Sequence, residues 1–125
     1  MFKPLLIKFL KSSVKNQWLE TKEAKLYVRK SHRIIIQDYC ANLSTCFDLA
    51  NIEIIPELQR HGMFRKVLFQ MVELNPFDYV FVENVINPNI FKFLDNFPRS
   101  FRVEHSCYKG GLNSDVISYA IAKKP

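Results

Sequence analysis

The chain has 125 residues, of which 48% are apolar and 14% are aromatic. This length fits one domain, and the apolar content is ample for a packed core and too high for a disordered chain. With only three glycines, the chain is neither collagen-like nor a Gly-rich linker. The net charge of +6 is typical of proteins whose partner is a nucleic acid, a membrane surface or another acidic ligand.

The positive charge is concentrated at the start of the chain. Residues 1–33 carry nine Lys or Arg and two acids, a net charge of +7, whereas the remaining 92 residues sum to −1. Lys8, Lys11 and Lys15 recur at helical spacing and predict one basic stripe. Such a stripe is either a solvated helix face or a surface that binds nucleic acid or an acidic protein.

The cysteines and the hydropathy pattern indicate a cytoplasmic protein. Cys40, Cys46 and Cys107 are odd in number and form no CxxC or CxxH cluster, so we expect neither a disulfide framework nor a bound metal. Free thiols are typical of a reducing compartment. No apolar stretch is long enough to span a membrane, so no membrane span is expected.

The first part of the chain predicts one helix followed by a β-hairpin. Apolar residues recur every four positions over residues 4–19, which is typical of an amphipathic helix, although residues 2–9 also fit a short strand. Two segments rich in Tyr, Val and Ile, residues 24–29 and 33–39, predict an antiparallel hairpin with its turn at Lys30-Ser31-His32.

The rest of the chain alternates strands with two helices. Helical spacing predicts helices at residues 62–74 and 87–97, the second with Asn87 as its N-cap. Strands are predicted at residues 45–55, 79–82, 101–106 and 116–122. This order predicts a single α+β domain over residues 1–125, with a strand–helix–strand unit at its centre.

The segment from Asn51 to Arg65 carries the clearest chemical signal. An apolar strand ends at Pro56-Glu57, and a polar loop with Gly62 leads into an amphipathic helix. The first turn of a helix has free N–H groups and the positive end of the dipole, and a glycine there lets an anion approach the backbone. The segment therefore predicts a phosphate site, unless Gly62 only relieves crowding at the helix start.

This segment resembles the acyl-CoA-binding motif of the GNAT acetyltransferase superfamily. The matching positions, in register, are Ile54, Pro56-Glu57, Gln59, Gly62 and Val67-Leu68. The later strand, Asn87-Pro88 and the apolar helix also resemble that family. Phe64 departs from the motif, where a second small residue is usual, so its side chain is expected to point into the helix packing.

The resemblance implies a GNAT-like fold with a mixed, mostly antiparallel central sheet and helices on both faces. It also implies acetyl-CoA or another acyl-CoA as co-substrate. Backbone amides of the loop and first turn would hold the CoA pyrophosphate, and the strand at Ile52 and Ile54 would pair with the pantetheine amides. The implied binding residues are Ile52, Ile54, Gln59, Arg60, His61, Gly62, Met63, Phe64, Arg65 and Asn87, the last on the thiol side.

The resemblance further implies direct N-acyl transfer to an amine acceptor. A base must deprotonate the amine, and the carboxylate eleven residues before the Gln is Asp48, with Glu53 as the second candidate. Many members place a Tyr seven residues after the helix Asn as general acid, but Leu94 stands there and cannot donate a proton. Cys107 and Tyr108 are the remaining candidates for that acid.

Two other functions stay open at this point. Leu94, Phe64 and the compressed N-terminal part fit a non-catalytic protein of the same fold whose basic face, with Lys8, Lys11 and Lys15, binds nucleic acid or an acidic protein. A base-modifying or RNA-modifying enzyme on this fold would need both the cleft and the basic face. The sequence names neither the acceptor nor the oligomeric state, and a homodimer is one assembly that it leaves open.

Overall fold

A computed structural model describes residues 2–59, 62–85, 88–103 and 117–123. Three helices and six strands form the described fold. In chain order they are α1 (Lys3–Lys11), β1 (Asn16–Glu20), β2 (Ala24–Gln37), β3 (Cys40–Ile54), α2 (Met63–Leu74), β4 (Tyr79–Val85), α3 (Pro88–Asp95), β5 (Ser100–Val103) and β6 (Ile117–Ala122). A short 3₁₀ turn, Pro56–Leu58, lies between β3 and α2. The predicted α+β fold class is confirmed.

The six strands form one mixed sheet in the order β1-β2-β3-β4-β6-β5. Four of the five neighbouring pairs are antiparallel, and only β3 and β4 run parallel. Parallel neighbours need a crossover connection, and α2 supplies it. The predicted strand–helix–strand unit is therefore β3–α2–β4.

The first helix is shorter than predicted, because the chain turns into a strand. α1 ends at Lys11, where the Ser12 backbone N–H and Oγ both bond to the Phe9 carbonyl. Val14 and Trp18 are 44% and 46% exposed and do not continue the buried stripe. Trp18 lies in β1, and Lys15 lies beyond α1, so Lys8, Lys11 and Lys15 do not share one helix face.

The position predicted for the hairpin turn is wrong. Lys30-Ser31-His32 lies in the middle of β2, which runs unbroken to Gln37. The chain turns instead at Asp38 and Tyr39, whose φ angles are +52° and +64°. A two-residue turn with both residues left-handed matches the twist of a hairpin, and Asp tolerates that conformation. β2 and β3 therefore pair over their whole length.

All three helices pack against one face of the sheet. The core on this face contains side chains of α1, α2 and α3 and the strand residues between them. The Phe9 ring of α1 stacks on Phe47 of β3, and the Phe69 ring of α2 contacts Phe97 beyond α3. The expectation of helices on both faces is therefore not met within the described residues.

The opposite face of the sheet has its own small cluster. Ile35, Cys46, Phe81 and Ala120 are buried there, next to partly buried Tyr79 and Phe101. No helix of the described chain packs on them. Part of the cover is a charged side chain, because the Arg33 guanidinium lies 4.1 Å from the centre of the Phe81 ring.

A three-residue cluster ties the end of α3 to the last two strands. Arg102 of β5 donates two hydrogen bonds to the Asp95 carboxylate, at 2.9 and 2.6 Å, and the Tyr119 hydroxyl donates a third at 2.7 Å. Hydrogen bonds from Arg102 and Tyr119 lower the pKa of Asp95 to about 2. The ionised carboxylate therefore stabilises the folded chain.

We predict that the Asp95→Asn variant is less stable than the wild type at neutral pH. Because the folded pKa of Asp95 lies below the unfolded value of about 3.9, its contribution is present above that value and is lost as the pH falls toward about 2. Urea unfolding between about pH 2 and pH 7 measures the difference. Glu73→Gln, which removes an exposed ion pair with Lys3, is the control and should change little. A difference that does not depend on pH would contradict the prediction.

Candidate functional site

The parallel strands β3 and β4 pair over only four residue pairs and then separate. Pairing runs from Cys46 with Tyr79 to Leu49 with Val82, whereas β3 continues to Ile54 and β4 to Val85. The region between residues 50–54 and 83–85 is hereafter the β3–β4 cleft. No strand of the described chain pairs with the backbone N–H and C=O groups on the facing edges of β3 and β4 here.

A bulge in β3 accounts for the separation. Tyr27 pairs with Asn51 and Val28 with Leu49, so Ala50 has no partner in β2. An extra residue in one strand bends it and increases its twist, and this bend starts where pairing with β4 ends. β4 has an irregularity of its own against β6 between Val82 and Val85.

Gly62 begins α2 with a backbone conformation that favours glycine. Its φ is +79°, and it is the N-cap residue without a side-chain cap. A Cβ atom added at Gly62 would have no heavy atom within 4 Å, so the position is open. The first-turn amides of α2 and this open position form the described half of the predicted phosphate site. Arg60 and His61 lie outside the described residues.

The predicted binding residues before the helix have mainly structural contacts. The Gln59 side-chain amide donates to the Ile54 carbonyl at 3.0 Å, and this bond closes the loop onto the end of β3. Ile52 and Ile54 pack against the main core. Only their main chain is therefore placed to meet a ligand in the β3–β4 cleft.

Three predicted residues at the start of α2 point in different directions. Met63 is buried in the core. The Phe64 ring packs edge-on against Phe93 of α3, with centroids 5.9 Å apart, as expected for a bulky residue at this position. Arg65 is exposed, and its guanidinium lies 5.6 Å from the centre of the Phe69 ring. Of these three side chains, that of Arg65 is the one exposed to solvent and able to bind an anion.

A groove between α2 and α3 starts at Arg65. Its volume is about 480 Å³. Arg65 and Lys92 supply positive charge, aromatic rings supply apolar surface, and Asn side chains supply hydrogen-bonding groups. The lining residues are Arg65, Phe69, Asn89, Lys92, Phe93, Asn96, Phe97 and Pro98. Such a lining suits a flat ring system that carries a phosphate.

A network of two arginines and two acids lies on the sheet face without helices. Arg29 donates to both oxygens of Glu83, at 3.0 and 3.1 Å, and Arg33 donates to Glu83 and to Asp48, the latter at 2.7 Å. Ser31 Oγ donates to Asp48 at 2.9 Å. The network joins β2 to β4 across β3, at the closed end of the β3–β4 cleft.

The three carboxylates near the cleft differ in their access to solvent. Asp48 is 0% exposed, and burial raises its pKa, an effect that the Arg33 guanidinium and the Ser31 hydroxyl oppose. Glu83 has a side chain that is 12% exposed. Glu53 is exposed, on the same face, near the far end of β3. Asp48 is thus enclosed, Glu53 is exposed at the far end of the cleft, and Glu83 is partly exposed at its closed end.

The sequence did not single out Arg29, Arg33 or Glu83. Arg29, Ser31 and Arg33 alternate along a strand, which places their side chains on one face, but the predicted turn at Lys30-Ser31-His32 hid that alternation. Glu83 pairs with residues more than forty positions away, so no local pattern marks it.

The general acid is not supplied by Leu94, Cys46 or Tyr119. Leu94, at the position where a Tyr is usual, is fully buried in the core. Burial, with a smaller effect of Asp48, raises the pKa of Cys46 to about 12, so its thiol is not reactive. The Tyr119 hydroxyl is engaged with Asp95. Asn87, Cys107 and Tyr108 lie outside the described residues, and their roles stay predictions.

Comparison with known proteins finds no match for this chain. The chain matches no protein-family model, no curated protein and no solved structure. None of the described helices has the length and apolarity needed to cross a membrane. Over the same part of the chain, no three His, Cys, Asp or Glu side chains are grouped so that they could hold a metal ion.

We predict that Gly62→Ala lowers the free energy of unfolding by about 1–2 kcal/mol, the usual cost of a left-handed conformation for a residue with a Cβ atom. Because the position is open, the cost is conformational and not steric. Asn tolerates left-handed backbone better, so Gly62→Asn should cost less. Chemical denaturation of the three proteins measures the order. Equal stability of Gly62→Ala and the wild type would contradict the prediction.

Proposed function

We propose that this chain is a small N-acyltransferase of the GNAT type, which moves an acetyl or other acyl group from acyl-CoA directly to an amine. The β3–β4 cleft is the observation that carries the proposal, because two parallel strands stop pairing beside the helix that begins at left-handed Gly62. The sheet order, with its single parallel pair at the centre, supports the same reading. Acyl-CoA would supply the activated acyl group.

The α2 end of the cleft has the groups that a pyrophosphate requires. The first-turn amides of α2 are not capped by a side chain, and the open space at Gly62 lets an anion reach them. Arg65 adds a charged donor in the first turn of the helix. The groove that follows, with Lys92 and the Phe69 ring, would take the nucleotide end of CoA.

The inner part of the cleft has the groups that an acyl-pantetheine arm requires. Residues 50–54 present unpaired backbone donors and acceptors toward β4, and an extended chain with amide groups can pair with such an edge. A backbone N–H near Ala50 is placed to polarise a carbonyl at the closed end. In this proposal the main chain of residues 50–54 binds the arm and polarises the acyl group.

Glu83 is the carboxylate best placed to take the proton of the acceptor amine. It follows directly after the last β3–β4 pair, and Arg29 and Arg33 fix its orientation. Asp48 lies behind it, fully enclosed. Glu53 lies three residues beyond Ala50, about 10 Å along an extended strand. Glu83, directly or through a water, is therefore our candidate base, in place of Asp48 or Glu53.

The absence of a Tyr at the Leu94 position does not exclude this reaction. A thiol has an ordinary pKa of about 8.5, so CoA leaves as a thiolate near neutral pH without full protonation. A general acid typically contributes about 10²–10⁴-fold to a rate. We therefore expect a slow enzyme unless Cys107 or Tyr108 supplies the proton.

A binding function without catalysis is the second candidate. Lys8, Lys11 and Lys15 are exposed, and none of them forms an ion pair with another described residue. An exposed excess of positive charge can bind nucleic acid or an acidic protein. The same titrations that test acyl-CoA binding distinguish this candidate.

We predict that the wild-type chain binds acetyl-CoA and that Arg65→Glu weakens binding about 10- to 100-fold, the usual effect of losing a hydrogen bond to a charged group. Lys66→Glu is the matched control, because Lys66 is exposed next to Arg65 but does not line the groove. Isothermal titration calorimetry measures both. Equal weakening by the two variants would show a general effect of charge and not a site at Arg65.

Failure of the wild type to bind acetyl-CoA, while circular dichroism shows it folded, would overturn the acyltransferase proposal. Titration with a single-stranded RNA at several salt concentrations then tests the second candidate. Neutralising Lys8, Lys11 and Lys15 should flatten the dependence of that affinity on salt. An unchanged slope would exclude the basic surface as the binding site.

We predict that Glu83→Gln lowers kcat/KM for an amine acceptor about 10²-fold or more, as expected for loss of a general base, with the acetyl-CoA affinity unchanged. Release of free CoA thiol measures the rate. Glu20→Gln, an exposed acid on β1, is the control and should leave the rate unchanged. If Glu53→Gln causes the loss and Glu83→Gln does not, Glu53 is the base.

A further inference from the structure

The β2–β3 hairpin extends beyond the rest of the sheet as a two-stranded arm. β1 stops pairing with β2 at Arg29, and β4 first pairs with β3 at Cys46. The part between them, residues 31–45, is hereafter the arm. Within the described residues, eight large apolar side chains are exposed, and four of them lie on the arm: Ile34 at 68%, Ile36 at 57%, Tyr39 at 104% and Leu43 at 73%.

The outer edge of β2 along the arm is open for pairing. The last bond on this edge is from the Lys30 N–H to the Lys15 carbonyl, at 2.8 Å. Since alternate residues of a strand point to the same edge, His32, Ile34 and Ile36 present their N–H and C=O groups to it. No described strand pairs with this edge.

Apart from the inward-pointing charge of Arg33, β2 along the arm lacks the features by which proteins protect such an edge. Residues 31–37 contain no Pro and no Lys, and no irregularity in the pairing of β2 with β3 occurs along them. Ile34 and Ile36 form the centre of the free edge. An unprotected, β-branched edge strand is a template for another strand.

The charge distribution favours a second copy of this chain as that strand. Residues 1–33 carry +7, so most contacts between two copies in this region would be repulsive. Residues 34–47 carry a single charge, on Asp38. Arg33 is the one Lys or Arg of the arm, and Asp48 and Glu83 pair with it. The arm is therefore the surface on which two positively charged copies meet with little repulsion.

We propose that the chain forms a two-fold dimer in which the β2 edges of two arms pair antiparallel, centred on Ile34. Two constraints set this register. The free edge is limited by the β1 contact at Lys30 and by the turn at Asp38, and its midpoint is Ile34. Ile34 also points its N–H and C=O to the free edge, as the central residue of such a pair must. An antiparallel pair of identical strands has two-fold symmetry, so the interface closes on itself.

This register brings apolar and charged groups into suitable contacts. Ile34 of each copy lies opposite Ile34 of the other, and Leu43 is its partner on β3, so four aliphatic side chains form one row across the joined sheet. Ile36 lies opposite His32 of the other copy. Asp38 of one copy lies opposite Lys30 of the other. The only charged residue of residues 34–47 therefore faces a residue of opposite charge. The inference does not depend on the proposed acyltransferase function.

Sedimentation velocity over a wide range of protein concentration tests the dimer. We expect the wild type to have about twice the chain mass of 14.8 kDa and Ile34→Lys, which places two like charges at the two-fold axis, to be monomeric. Ile55→Lys is the matched control, since it adds the same charge at another exposed isoleucine, and should stay dimeric. A wild type that is monomeric at every concentration, or an Ile34→Lys variant that remains dimeric, would overturn the proposal.

Disulfide trapping tests the register. It also tests the dimer itself if the Ile34→Lys variant does not fold. In an antiparallel pair, directly opposed residues that exchange hydrogen bonds have Cα atoms about 5.5 Å apart, within the range that a disulfide spans. In a Cys40→Ser background, Ile34→Cys should form a covalent dimer under a mild oxidant, whereas Ile55→Cys should not. Equal cross-linking of the two variants, or none with Ile34→Cys, would contradict pairing at this position.

Discussion

The bend in β3 at Ala50 is the constraint on which the candidate site depends. Before Ala50, β3 pairs with β2 on one side and β4 on the other and lies at the centre of the sheet. After Ala50, β3 pairs only with β2. One unpaired residue thus converts an ordinary parallel pair into a cleft. The crossover through α2 then places a helix N-terminus at the open end, so cleft and helix arise from the same stretch of chain.

Local chemistry was sufficient to predict the middle of the fold. The apolar spacing from Met63 to Leu74 and the glycine before it predict α2, because helix periodicity is a property of adjacent residues. The same holds for α3, which begins at Pro88. The start of the chain was predicted less well. Val14 and Trp18 fit a helical period of four, but their even spacing fits a strand equally well. The C-cap at Ser12 is what ends α1.

The sequence analysis selected site residues that are close together in the chain, but not those that only the sheet brings together. Gly62, Gln59 and Arg65 are close in sequence, so a motif could mark them. Arg29, Arg33 and Glu83 meet only because β2, β3 and β4 are neighbours, and the register of β2 depends on a turn at Asp38 and Tyr39 that lacks the usual glycine. Sequence reasoning therefore proposed Asp48 and Glu53, which lie on the motif strand, and did not consider Glu83 on the next strand.

The charged network on the open face of the sheet restricts how this protein can diverge. Arg33 serves two acids, and Arg29 and Arg33 share Glu83. Loss of one member leaves a poorly solvated charge without its partner, which is far more costly than the loss of a whole pair. Accepted substitutions at these positions should therefore occur together. Positions 29 and 83, and positions 33 and 48, should covary among relatives even where the rest of the face changes freely.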